Sequence, residues 1–376
     1  YSGMLDDKTG YIYLAKFTRG SAGEVRKALL ALRDSAGMEQ LVLDLRGNGG
    51  GLLNESVSIV NLFVPKGTEI VSTKGKSEKW NKSYTALGRP TAPDLPLVVL
   101  IDGKSASASE IVSGTLQDLD RAVIVGMESF GKGLVQQTKD MAFNTRLKVT
   151  VAKYYTASGR CIQRLDYGGK RDEKGKARAV SDSLLRTFTT LNGRPVIEGR
   201  GIQPDVEVET PFMSTLMARL LSDFEVFGYA TAVASRLDSA DVPDPVSYTM
   251  DDATWSGFGD HLEAAGFEYS TESIAVLKEL KEVMEIEQYD QVAAEATADL
   301  AARLEPNLDR DLALFEDEIR QALEEEVVLR FHLAAGMVER SLSEDPAVLR
   351  AQAVFGPEWS RIIGDPLFEG TVAPKE

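Results

Sequence analysis

Residues 97–118 read LVVLIDGKSASASEIVSGTLQD. Leu97 to Ile101 form a short, continuous apolar run, the pattern of a strand buried on both faces. The following DGKSAS is rich in turn formers, and 107–118 returns to helical spacing, so the segment reads strand, turn, helix. The same theme recurs on either side. Residues 122–125 (AVIV) and 41–45 (LVLDL) are further short apolar runs, the second ended by Gly47 to Gly51, and 53–64 reads as helix. Upstream, Tyr11, Tyr13, Ala15 and Phe17 alternate as in a strand, and Val25, Leu29 and Leu32 then follow at helical spacing. Strands buried on both faces and alternating with helices imply an α/β domain with a largely parallel sheet.

From 133 to 155 the pattern is β-rich, and the sheet is expected to continue there as hairpins. Residues 166–183 are expected as a polar loop without function. Beyond 210 the signature is helical: Leu312, Phe315, Ile319, Leu323 and Val327 make an apolar stripe, with Asp317, Glu324 and Glu325 on a wet face. Ile274, Leu277, Leu280 and Met284 form a second stripe. Charge divides the chain at the same place. Residues 1–210 carry 30 Lys+Arg against 24 Asp+Glu, and 211–376 carry 12 against 34. The expected domains are therefore 1–209, an acidic all-α domain at 210–342, and a C-terminal tail at 343–376.

A net charge of -16 over 376 residues argues against a nucleic-acid partner, which needs a basic footprint. The longest apolar run, 96–101, is far below the roughly 18 residues of a membrane span. Cys161 is the single cysteine and His261 and His332 the two histidines, so no metal site or cofactor is expected.

Within 1–210, where histidine is absent, chemistry must come from other residues. Ser107 opens the helix after the strand at 97–101, where free backbone N–H groups converge. With Glu110 it also has the spacing of a capping box, which needs no catalysis. Lys132 lies between Gly131 and Gly133, small neighbours that let another backbone approach, with Phe130, Leu134 and Val135 nearby to desolvate an amine. Because an ordinary lysine is neutral only about once in 2,500 molecules at pH 7, a lysine base needs such surroundings. A Ser-Lys dyad can be assembled here and a Ser-His-Asp triad cannot. The Gly-rich turn 44–51 (DLRGNGGG) fails as a dinucleotide or Walker loop but can face an anion with its N–H groups. Ser129 and Lys132 match S-x-x-K, without the downstream elements that motif requires.

Taken in order, YIYLAKF, LVLDLRGNGGG, PLVVLIDGKSASASEIVSGTLQD, RAVIVGMESFGKGLVQQ, RLKVTVAKYYTASGR and GIQPDVEV resemble the carboxyl-terminal processing, or tail-specific, serine proteases over roughly 1–209. The resemblance implies a Clp protease/crotonase-like α/β catalytic domain followed by an all-α C-terminal domain. It implies Ser107 as nucleophile, Lys132 as base, Gln136 as the residue orienting the lysine, Ala108 with Gly50 or Gly51 as oxyanion donors, and Asp118 as a supporting acid. The implied activity is a serine endopeptidase acting through an acyl-enzyme on unfolded or C-terminally tagged polypeptides, in the periplasm or another extracytoplasmic space. The competing expectation is a non-catalytic binding or scaffold protein on the same fold. The PDZ domain that family members carry before the first catalytic strand is not in this sequence, and a fragment is the expectation. The helical part is expected to support homo-oligomer assembly or dock an adaptor.

Overall fold

The structure is a computed structural model and describes residues 1–209 and 213–364, the Lys170 side chain excepted. The expected junction at 210 and the end of the expected tail, 365–376, lie outside the described residues. The chain divides into two compact units, one of residues 1–210 with 344–376, the other of residues 211–343.

In chain order the first unit contains β1 (Ser2–Met4), β2 (Thr9–Tyr13), α1 (Ser21–Ala36), β3 (Gln40–Asp44), α2 (Leu53–Val60), β4 (Glu69–Lys74), β5 (Lys82–Thr85), β6 (Leu97–Ile101), α3 (Ala108–Asp118), β7 (Val123–Gly126), β8 (Leu134–Asp140), β9 (Arg146–Tyr155), β10 (Leu165–Arg171), β11 (Ala177–Ala179), β12 (Thr187–Thr189), β13 (Pro195–Ile197) and β14 (Val206–Glu207). The main sheet runs β1-β2-β3-β6-β7-β14 and is parallel except for β1. Its two faces separate by side-chain alternation. Leu41, Leu43, Leu97, Val99, Ile101 and Ile124 pack into one core with Val25 and Leu29 of α1, Ile59 and Val60 of α2, and Ile111 and Leu116 of α3. Val42, Val98, Leu100, Val123 and Val125 are equally buried and point the other way.

The apolar spacing at 11–17 gives a strand only as far as Tyr13; Phe17 then makes a single bridge to Gly51. The β-rich stretch 133–155 does not extend the main sheet, because β14 already occupies the outer edge of β7. Instead β8 and β9 join β4 and β5 in a separate antiparallel sheet, β5-β4-β9-β8. Residues 166–183 are not simply a loop. They hold most of the β10–β11 hairpin, whose turn is made by Asp172 accepting the amides of Gly175 and Lys176, with Gly175 at φ 74.

The second unit contains α4 (Thr215–Ser222), α5 (Glu225–Ala234), α6 (Asp252–Ala265), α7 (Glu272–Glu287), α8 (Ala294–Leu304), α9 (Leu308–Leu314) and α10 (Glu316–Glu344), the last interrupted at Leu333, φ 59. Leu312, Ile319, Leu323 and Val327 are buried in its core. Glu324 is not on a wet face: it is buried, accepts the Met250 amide at 2.7 Å and pairs with Arg340 of the same helix. Of the stripe on α7, Leu277 is buried while Leu280 stays exposed. His261 bonds Glu225 and His332 bonds the Val242 carbonyl.

Within the segment expected as tail, α11 (Pro346–Val354) and α12 (Pro357–Gly364) are helices of the first unit. Helix α11 lies against β3, β6 and β7, and α12 against β7. They bury Val348, Ala351, Val354 and Ile362 and are tied down by Trp359 Nε1 to the Leu97 carbonyl, 3.0 Å, and by Asp345 to Arg46, 2.7 Å.

Helix α1 begins at Gly20 without a capping side chain of its own; Glu55 of α2 supplies one, accepting the amides of Gly20 and Ala22 at 2.9 Å each. These hydrogen bonds, first that of Gly20, hold the Glu55 carboxyl below its ordinary pKa. A lowered carboxylate pKa contributes stability above the unfolded value that is lost as pH falls through the folded value. Glu55→Gln is expected to cost about 0.5–1 kcal/mol at pH 7, a small figure because solvent screens this site. The difference from the parent chain should disappear on acidification below the glutamate range, as read by urea melts at each pH.

Candidate active site

The serine loop leaves the carboxyl end of β6, the edge of a parallel sheet where ligands are commonly met. Asp102 accepts the amides of Lys104 and Ser105 at 2.9 Å each, turning the chain, and Ser105 Oγ donates to the Leu45 carbonyl at 2.8 Å. Ser107 then stands immediately before α3 with φ 59 and ψ −108, a positive φ that costs free energy in a residue with a Cβ. Its side chain is presented at the end of a helix whose first amides have no helical partner.

Glu110 holds this conformation. The capping box expected from the spacing is present, its glutamate half being the Ser107 amide donating to Glu110 Oε2 at 2.7 Å. The carboxylate does more than cap. Oε2 also accepts the Lys132 amide at 2.9 Å, and Oε1 accepts the Gly131 amide at 2.7 Å and the Ser129 hydroxyl at 2.6 Å. Burial raises the Glu110 pKa above its ordinary value, and the four hydrogen bonds, first that of Ser129, act against the rise. Since Ser107 and Lys132 donate to one oxygen, their backbone nitrogens lie within about 6 Å of each other.

Ser129 is thereby accounted for. It is fully buried and its Oγ, besides donating to Glu110, accepts the Ile202 amide at 2.7 Å. Its S-x-x-K match is a structural bond.

The two glycines flanking Lys132 admit a neighbouring segment, as their sizes lead one to expect. A Cβ on Gly131 would lie 2.5 Å from Arg164 Cβ, and one on Gly133 2.8 Å from the Gln163 nitrogen. Gly133 donates to Gln163 Oε1 at 2.9 Å and Arg164 donates to the Gly131 carbonyl at 3.0 Å. Tyr154, buried on β9, donates to the Lys132 carbonyl. Its pKa is pushed well up, first by burial and then by the Glu110 charge, while a hydrogen bond with the Ser107 side chain acts in the opposite direction. One phenol therefore touches both the serine and the lysine loop.

Lys132 is half-buried and Gln136 exposed, and both line a cavity of about 870 Å³ together with Leu134, Thr150, Lys153, Gln163, Leu165, Tyr167 and Val180 among others.

The Gly-rich turn is held to the serine loop by Asn48, fully buried. Its carbonyl accepts the Ala106 amide at 3.0 Å and Ser109 Oγ at 2.7 Å, its Nδ2 donates to the Leu14 carbonyl at 2.6 Å, and its Oδ1 accepts the Gly50 amide at 2.9 Å. Gly50, φ 95, sits so close that a Cβ would lie 2.6 Å from the Ala106 carbonyl oxygen and 2.9 Å from the Ala108 nitrogen. Gly51 faces Phe17, whose carbonyl a Cβ there would strike at 2.1 Å. The turn and Ala108 are thus brought together, with the Gly50 amide engaged by Asn48.

Asp118 is not brought to this group. It ends α3, the helix that Ser107 precedes, and eleven residues of helix span about 16 Å. There it pairs with Arg160 at 2.8 Å, both side chains fully buried, and accepts the Ser158 amide at 2.9 Å.

Glu110, Asn48 and Tyr154 were not singled out as site residues by sequence reasoning. The S-x-x-E spacing pointed to Glu110 only as a cap. Asn48 lies inside the Gly-rich turn 44–51, and nothing local distinguishes Tyr154 from any strand tyrosine.

Residues 8–172 match "Peptidase family S41" and residues 216–355 match "Probable PDZ-protease, C-terminal helical domain". Over 157 residues the chain is 43% identical to a carboxy-terminal-processing protease of Bartonella bacilliformis, covering 41% of this chain and 36% of that protein. Over 192 residues it is 42% identical to a carboxyl-terminal-processing protease of Picosynechococcus sp., covering 51% and 45%. Among solved structures, a photosystem II D1 C-terminal processing protease is 30% identical and matches over 54% of this chain and 42% of its own, with a TM-score of 0.41. The chain spans less than half the length of each of these relatives. The chain thus contains a peptidase S41 family domain at residues 8–172, with a helical domain of the PDZ-protease type following at 216–355.

Proposed function

We propose that this chain carries the catalytic part of a carboxyl-terminal processing serine endopeptidase, with Ser107 as nucleophile and Lys132 as general base. The observation that carries the reading is the Glu110 carboxylate, which bonds the backbone of both residues and so couples the serine turn to the lysine loop. In the first step Ser107 Oγ attacks the scissile carbonyl carbon while its proton passes to neutral Lys132 Nζ. The oxygen that gains charge is stabilised by the Ala108 amide with one from the Gly50–Gly51 turn. Collapse breaks the C–N bond, and the Lys132 ammonium returns the proton to the departing amine. Water then hydrolyses the ester with Lys132 again as base. Gln136, on the same cavity wall, orients the lysine. Substrates are unfolded or C-terminally tagged polypeptides, met in an extracytoplasmic space; among the described residues no helix is long and apolar enough to cross a membrane. The placement of Asp118 supports a different role from that of a supporting acid: with Arg160 it anchors the far end of α3.

Ser107→Ala and Lys132→Ala are each expected to lower kcat by about a thousandfold or more with the melting temperature preserved. Labelling of Ser107 by a fluorophosphonate should vanish in both variants. Near-parental turnover by either would sink the assignment.

Glu110→Gln turns an acceptor of four hydrogen bonds into a group whose NH₂ opposes donors. The expected loss is about 2–4 kcal/mol of stability, visible as a lower denaturation midpoint, together with slower Ser107 labelling. A parental midpoint would remove Glu110 from its central place.

A further inference from the structure

The cavity beside Lys132 extends away from the serine. Its walls are the β8–β9 face, with Leu134 opposite Lys153 and Gln136 opposite Thr150, and the segment from Gln163 through the β10–β11 hairpin. Ser107 is not part of its lining, whereas Lys132 is. If Lys132 hands its proton to the departing amine, as proposed above, the substrate residues beyond that amine must run out past Lys132. The cavity therefore lies on the leaving-group side of the scissile bond. At about 870 Å³ it has the size of a pocket for a small ligand, which for a peptide means a few residues.

Its chemistry is uneven. Leu134, Leu165, Val180 and Phe130 are apolar, and Lys153 is an exposed ammonium with no carboxylate at ion-pair distance among the described residues. The carboxylate in the lining, Asp166, accepts the Gly168 amide at 2.9 Å and forms no ion pair with Lys153. Across the sheet the register sets Lys74 of β4 directly opposite Lys153, a like-charge pair that opposes sheet pairing. Lys74 is drawn over the Tyr155 ring, 4.9 Å from its centroid, and Lys153 has no equivalent partner there. An ammonium without a counter-ion, beside a like charge and facing a part-apolar cavity, suits a ligand that brings its own anion.

We infer that this cavity is a subsite for the short segment released from the carboxyl side of the cut, and that Lys153 binds a carboxylate on it. The inference rests on the dyad reading for the direction of the substrate. The carboxylate has two sources, the chain end or an acidic side chain near it. Three tetrapeptides separate them: Ala-Leu-Val-Ala as the free acid, the same peptide amidated, and amidated Ala-Leu-Val-Glu. Their dissociation constants are measured on the full chain carrying Ser107→Ala, so that binding is read without turnover.

The free acid is expected to bind about five- to tenfold more tightly than its amide. Adding Lys153→Gln should bring that ratio to within about twofold, and Lys153→Arg should keep most of it. An equal gain by the amidated Glu peptide, lost likewise with Lys153→Gln, would assign the site to side-chain carboxylates. Equal binding of all three peptides, or a preference that survives Lys153→Gln, would overturn the inference. In the active chain, substrates ending four residues beyond the cut, in -Ala-Leu-Val-Ala as free acid or amide, should show the same ratio in kcat/KM. A ratio present in binding and absent from turnover would place the carboxylate off the leaving side and overturn it as well. Failure of the dyad reading would show separately, as cleavage by the Ser107→Ala chain.

Discussion

A buried carboxylate that accepts four hydrogen bonds is what the candidate site depends on. Glu110 sits one turn into α3, yet its partners are the amide just before that helix and three groups on the loop after β7. Burying a charged group in an apolar domain is costly unless its lone pairs are filled, and here two donors meet each oxygen. The arrangement is cooperative. Ser107 can hold its positive φ because its amide is fixed, and the amide is fixed because the lysine loop delivers the remaining donors that make the buried charge tolerable. Asn48 performs the neutral equivalent on the other side, binding the Gly-rich turn to the same serine loop through its backbone carbonyl and side chain. Between them the two residues fix three loops that no regular secondary structure joins.

Much of this was legible in the sequence, for reasons that can be named. Runs such as LVVLI are unambiguous because a parallel strand buried on both faces has no polar alternation to confuse with helix. The Ser107 turn was legible because a strand and a helix bracket it, and the Lys132 surroundings because paired glycines announce a close approach. What escaped is what depends on distant residues. The hydrogen bonds of Glu110 span up to 22 positions and those of Tyr154 cross from another sheet, so local spacing carried only the capping half. Asp118, expected only from the resemblance, shows the converse limit: it ends the helix that Ser107 precedes and pairs with Arg160 there.

The second unit repeats the point in a plainer form. Helical periodicity located Leu312, Ile319, Leu323 and Val327 in a core correctly and assigned Glu324, one position after Leu323, to solvent. Glu324 is buried because Arg340 of the same helix and the Met250 amide meet it there. Periodicity predicts which direction a side chain points and is silent on whether that direction ends in water or in a partner. The stripe on α7 errs the opposite way, apolar at Leu280 without cover among the described residues.

The placement of α11 and α12 also has a meaning in time. The sheet of the first unit is made by residue 207, while the helices that cover the face carrying Val98, Leu100 and Val125 start at Pro346. A ribosome adding roughly 5–20 residues per second needs about 7 to 28 s to cross that interval. Throughout it the nascent sheet has α1 to α3 and still lacks α11 and α12. Completion of the domain that holds the candidate dyad is thereby deferred until the helical unit has been made, and a ribosome that stops early in that unit leaves behind a sheet lacking α11 and α12, a ready ligand for chaperones and quality-control proteases.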